Sequence, residues 1–102
     1  MLEAETRARL ESGIAKHSRH IFRNAEGHLA EDTLENRQLF VDVVMESAHY
    51  FGADKYGTDW YAKILPSGEQ LWVQVRKGEI RNAGKNPIPK RWTKATGLAG
   101  SL

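Results

Sequence analysis

Leu10, Ile14, His17 and Ile21 recur at spacings of four, three and four, which draws one stripe along a helix. The pattern predicts a first helix over residues 1–22, with Gly13 as its weak point because glycine costs a helix interior backbone entropy. The stretch "NAEGHLAED" interrupts it and places His28 in a loop or at an irregular start of the next element. Asp32 followed three positions later by Glu35 is close to a capping box, and apolar periodicity begins at Leu34. Phe40, Val43, Val44, Ser47, Tyr50 and Phe51 continue a broad buried face. A second helix is therefore expected over residues 32–51, stopped by Gly52.

After "GADKYGTD" the period changes from helical to alternating. "DWYAKIL" and "QLWVQVR" read as strands joined by the turn "PSG", "KG" makes a second tight turn, and "EIRNA" reads as a short third strand. An antiparallel sheet is expected within residues 58–92, with an edge strand near Ile88 or Trp92, and residues 93–102 as a fraying tail. Leu71, Val73 and Val75 must point at the helices, so Gln70, Trp72, Gln74 and Arg76 point away. On the preceding strand we expect Trp60, Ala62 and Ile64 to face the helices and Tyr61 and Lys63 to join the open face, with Arg81. The alternative for Trp72 is cover by the proline-containing tail, with the cations a solvated face.

These elements describe a single α+β domain spanning residues 1–102: two N-terminal helices packed on one face of a three- to four-stranded antiparallel sheet. Cysteine is absent, so neither disulfides nor thiolate metal ligands hold the fold. No apolar run approaches a membrane span, and "MLEAETRARL" lacks the basic start and apolar centre of a signal peptide. The net charge of +2 hides an asymmetry. Residues 1–54 hold 6 Lys/Arg against 10 Asp/Glu, and residues 55–102 hold 9 against 3. A basic half joined to an acidic half fits one surface that meets a polyanion.

Two aromatic rings and several cations on one sheet face suit RNA, because bases stack on rings while phosphates pair with Arg and Lys. The histidines supply candidate chemistry. His17 lies on the apolar stripe and is expected as a hydrogen-bonded core residue, whereas His20 and His28 fall off it. One charged and one neutral imidazole make an acid and base pair for cleavage of RNA by its own 2′-OH, with Arg76 or Arg81 stabilising charge on the phosphoryl oxygens. Their spacing matches no compact zinc pattern, and phosphate-binding glycine motifs and a nucleophile-elbow serine are missing. No metal or other cofactor is expected.

"KHSRHIF…GHLAEDTLENR", followed by "GTDWYAKILPSGEQLWVQVRKGEIRNAGKNPIP", resembles the C-terminal toxin domains of contact-dependent growth inhibition and related polymorphic toxin systems, over roughly residues 16–92. Within these it resembles the group with the barnase, EndoU, colicin and RelE type of ribonuclease fold. The resemblance implies a small antibacterial ribonuclease, usually acting on transfer RNA. It would be part of a secreted or cell-surface toxin, act in the cytoplasm of a neighbouring bacterium, and be neutralised at home by a cognate immunity protein. Carried over by position, it implies His20, His28, Tyr61 and Arg76 as catalytic candidates. It also implies Arg37 and Asn82 as substrate contacts, beside Lys63, Trp72, Gln74, Arg81 and Lys85 as candidates on the sheet. The "HGxxH" pair of EndoU and the "SGW" ending of colicin D-like domains are both missing, so neither supplies the acid and base. Arg37 has an alternative as an ion-pair partner on its helix and Asn82 as a turn residue. A non-catalytic RNA-binding or protein-interaction module is the other reading of the chain, and an immunity-like protein is disfavoured by the basic C-terminal half.

Overall fold

The computed structural model describes residues 2–100, with side chains described for residues 3–98. Helix α1 spans Leu2–Lys16, with Glu3 and Glu5 in its first turn and Lys16 in its last, the charge order that a helix dipole favours. The expected single helix to residue 22 breaks at His17, whose backbone leaves the helical region, and resumes as the one-turn α2, Ser18–Ile21. Gly13 is required by packing: a Cβ there would stand 2.6 Å from the Ile80 backbone nitrogen, so its absence lets α1 lie directly on the sheet.

Helix α3, Leu34–Met45, begins at Thr33, whose hydroxyl accepts the Asn36 N–H at 3.1 Å. Thr33 therefore caps the helix where Asp32 was expected to, and Asp32 is turned to Arg37. The helix also stops six residues short of the expectation. A 3₁₀ turn, Ser47–His49, follows, and Tyr50–Ala53 forms strand β1. Gly52 thus lies inside a strand, at φ +138, and does not end a helix. The apolar residues Tyr50 and Phe51 that looked like a continuing helical face belong to this strand.

Strands β2 (Asp59–Ile64), β3 (Gln70–Arg76) and β4 (Glu79–Asn86) follow as hairpins, and the four strands run antiparallel in the order β1-β2-β3-β4. Lys77 and Gly78 both take positive φ at the β3–β4 turn, as a tight two-residue hairpin requires. A bulge then sets Gln74 opposite Asn82 and Val75 opposite Ile80, leaving Arg81 as the extra residue. Leu71, Val73, Val75, Ile80 and Ala83 meet Leu10, Ile14, Ile21, Phe40, Val41 and Val43 in the main core.

The faces of β3 are as expected and those of β2 are reversed. Tyr61 pairs with Val73 and Lys63 with Leu71, so both lie on the helix side, while Trp60 pairs with Gln74 and Ala62 with Trp72 on the far side. Alternation separates a strand's two faces without saying which is inward, and the cross-strand register decides. Trp60 and Ala62 still find apolar surroundings because the far face has its own small core, whereas Ile64, expected against the helices, is exposed. Trp60, Ala62, Trp72 and Leu98 form it, with Trp92 packed against them. Its cover is a two-stranded hairpin, β5 (Arg91–Thr93) with β6 (Gly97–Gly100), where a fraying tail was expected. No helix among the described residues is long and apolar enough to cross a membrane.

Candidate active site

The segment between α2 and α3 curls back on itself. Phe22 bridges Leu29, the Arg23 N–H reaches the Leu29 carbonyl at 3.1 Å, and the His28 N–H reaches the Ala25 carbonyl at 3.1 Å. Gly27, at φ +82, turns its carbonyl toward the sheet. That oxygen accepts two hydrogen bonds, from the Lys85 N–H and the Trp72 Nε1–H, both at 3.0 Å. Such an approach is possible because residue 84 is glycine: a Cβ there would stand 1.9 Å from the Gly27 oxygen and 2.8 Å from the Trp72 ring.

Docking this loop places the His28 ring edge-on to Trp72, with centroids 5.4 Å apart at 81°. His28 Nδ1 lies 2.9 Å from the Ile21 carbonyl. A carbonyl only accepts, so Nδ1 carries the hydrogen and Nε2 keeps its lone pair. Nε2 in turn lies 3.1 Å from Arg23 Nη2, and a guanidinium only donates. Both neighbours therefore select the same neutral tautomer. Burial pushes the His28 pKa below the ordinary imidazole value, and the charges of Arg23 and His20 push it the same way, against the Ile21 and Ala83 carbonyls. His20, exposed on α2, is the second imidazole, its ring 6.4 Å from that of His28.

The structure thus brings His20, His28 and Trp72 together, and it gives Trp72 a different part from the one expected. Only 8% of Trp72 is exposed, because Gly27, His28, Trp60 and Leu98 surround it. It is a wall that supports His28, not an open platform for stacking bases. Asn82 stands near this group through Ala83, whose N–H its Oδ1 accepts at 3.0 Å; it lies within β4 and not in a turn. Gln74 faces Trp60 and Asn82 across the strands, half-buried.

The remaining candidates are elsewhere. Arg76 lies four residues along β3 from Trp72, about 13 Å away, and its guanidinium donates to the Tyr56 carbonyl. It also sits near Asp54. Burial raises the pKa of that carboxyl, but hydrogen bonds from Trp60, Thr58 and Tyr56 and the charge of Arg76 outweigh burial and hold it low. Tyr61 is on the helix side against Tyr50, with centroids 5.2 Å apart, and burial raises its pKa. Lys63 shares that side, at an exposed rim near Asp42 and His49. Arg37 holds Asp32 with two hydrogen bonds of 2.6 and 2.7 Å. Lys85 faces Glu69 at 3.5 Å, and Arg81 lies 3.8 Å from Glu79. His17 is at the helix break, and its buried Nε2 has no hydrogen-bond partner among the described residues, so the expected hydrogen-bonded core histidine is not found.

Two features were missed from the sequence. Arg23 gave no signal beyond its charge. Gly84 did give one, since glycine inside a strand marks close approach of another backbone. Beside Trp72 a cleft of about 470 Å³ opens, lined among others by Gly27, Trp60, Asn86, Lys90 and Leu98. Comparison with known proteins finds no match: no family model, no curated protein and no solved structure is significantly similar to the chain.

Proposed function

We propose that the protein is a metal-independent endoribonuclease in which His28 and His20 are the base and the acid. The observation that carries this reading is the setting of His28: Nδ1 against the Ile21 carbonyl, Nε2 beside the Arg23 guanidinium, and a second imidazole 6.4 Å away. His28 Nε2, released as Arg23 turns from it to the phosphate, takes the proton from a ribose 2′-OH. The oxygen attacks the adjacent phosphorus and forms the P–O2′ bond while the P–O5′ bond breaks. His20, exposed beside it, delivers a proton to the departing 5′ oxygen. The products are a 2′,3′-cyclic phosphate and a 5′-hydroxyl. Arg23, exposed and adjacent to Nε2, replaces Arg76 as the cation for the phosphoryl oxygens.

The resemblance to contact-dependent toxin domains supplies the setting of this proposal. The substrate is transfer RNA in the cytoplasm of a target bacterium, the domain is part of a secreted or cell-surface toxin, and an immunity protein is its partner. The order of the elements, helices first and then an antiparallel meander, is compatible with that setting. A second reading, a protein-interaction module, is favoured by exposed Tyr50, Phe51 and Tyr56 around β1. Incubation with total transfer RNA in EDTA separates the two. Discrete fragments ending in cyclic phosphate, lost in His28→Ala, support the enzyme; intact RNA with the folded protein rules it out.

A further inference from the structure

The cleft beside Trp72 holds one polar group whose orientation is forced. The Lys90 backbone N–H donates to the Gln70 side chain at 3.0 Å, so the atom it meets must be the amide oxygen, Oε1. The Gln70 Nε2 then reaches the Lys90 carbonyl at 3.3 Å. Asn86 meets the same Oε1 at 2.9 Å and must present its Nδ2 to it. Its other atom, Oδ1, is therefore an acceptor, on a side chain only 4% exposed. Among the described residues Oδ1 receives no hydrogen bond. The atom is not sealed from solvent, and Asn86 lines the cleft.

The surroundings keep it open. A Cβ on Gly27 would stand 3.1 Å from Asn86 Oδ1, and none is there. The two indoles that line the cleft have already spent their donors, Trp60 Nε1 on Asp54 and Trp72 Nε1 on the Gly27 carbonyl. They offer the cleft apolar surface only. Lys90 and Glu26 stand at its rim, and Lys90 has no ion-pair partner among the described residues. A volume of about 470 Å³ falls in the range of sites for single small ligands. Trp72 joins the cleft to the imidazole pair, since its ring also touches His28.

We propose that this cleft is a nucleobase subsite that prefers amino bases, adenine or cytosine, over the keto bases guanine and uracil. The exocyclic amine of adenine or cytosine donates to Asn86 Oδ1. Guanine and uracil carry a carbonyl oxygen at that place and set acceptor against acceptor. Lys90 receives the phosphate of the same nucleotide, and the ring packs on exposed Pro87 and Ile88, which line the cleft beside it. The proposal rests on the ribonuclease reading for its setting, and deepens it by naming which residue reads the base.

The test uses the full chain and the four 5′-mononucleotides, which hold no phosphodiester to cut, followed by tryptophan fluorescence and by the Asn86 side-chain amide signals in NMR. We expect AMP and CMP to bind at least about fivefold tighter than GMP and UMP, the size of one hydrogen bond. The Asn86 amide signals should shift only with the amino nucleotides. Gly27→Ala, with its methyl beside Oδ1, should abolish the preference; if that variant unfolds, the wild-type series decides alone. Equal affinities, a keto preference, or no binding at millimolar nucleotide overturns the subsite even if RNA is cut. An amino preference in a protein that cuts no RNA leaves the subsite standing and removes the ribonuclease reading.

Discussion

Trp72 meets His28 edge to face, ring centroids 5.4 Å apart, while its Nε1–H holds the Gly27 carbonyl one residue earlier in the same loop. One side chain of the sheet therefore fixes both the backbone and the ring of the histidine loop. Trp72→Ala removes a buried indole and should cost about 3–5 kcal/mol in urea unfolding. Trp72→Phe keeps a ring and loses one donor, so a loss of about 1 kcal/mol is expected. Equal losses in the two variants would show that the indole N–H, not the packing, holds the loop.

Stability should depend on pH through His28. Its pKa is lower in the folded protein than the ordinary value of 6.5, so the folded state binds fewer protons there than the unfolded chain. Its contribution is fully present above pH 6.5 and is lost as pH falls through the folded pKa. Comparison of wild type with His28→Gln by denaturant titration across this range checks the sign. The wild type should lose stability faster on acidification, and a parallel decline in both excludes His28 as the source.

Gly84→Ala places a methyl group on the Gly27 oxygen and the Trp72 ring. Relief requires the histidine loop to move off the sheet, so we expect at least about 2 kcal/mol of destabilisation. Amide exchange should show residues 22–30 losing protection before the main core does. A neutral substitution would mean that the loop is not docked as described.

Arg37 and Arg23 should behave differently. Arg37 is engaged with Asp32 at the surface, so Arg37→Ala should cost at most about 1 kcal/mol of stability and leave RNA cleavage unchanged. Arg23→Ala should lower kcat/KM on the order of a hundredfold. It should also move the acid limb of the pH profile to higher pH, because the Arg23 charge holds the His28 pKa down. Steady-state assays over pH report both effects, and an unchanged profile in Arg23→Ala contradicts its placement beside the base.

The sequence revealed the α+β class, the β3 faces and both hairpin turns, because alternation around Leu71, Val73 and Val75 and the "PSG" and "KG" turns are local signals. Strand β1 was hidden, since Tyr50 and Phe51 fall in phase with the helix before them. The reversal of β2 was hidden for another reason: Trp60 and Tyr61 are both aromatic, and only register across to Gln74 and Val73 tells which goes to the helices. At the site, His20 and His28 were legible as polar interruptions near the first stripe. Arg23 was not, because its place beside His28 depends on a loop that folds back through Gly27 and Gly84. Arg76 looked right on the strand pattern and is drawn instead to Tyr56 at the far end of β3.

The most direct test of the two imidazole roles replaces the scissile 5′ oxygen of an RNA substrate by sulfur, a leaving group that needs no proton. On ordinary RNA, His20→Ala and His28→Ala should each lose about 10²–10⁴-fold in cleavage rate. On the sulfur substrate His20→Ala should recover most of its loss while His28→Ala remains slow. Recovery of His28→Ala in place of His20→Ala, or cleavage by the double variant at the wild-type rate, would contradict the assignment.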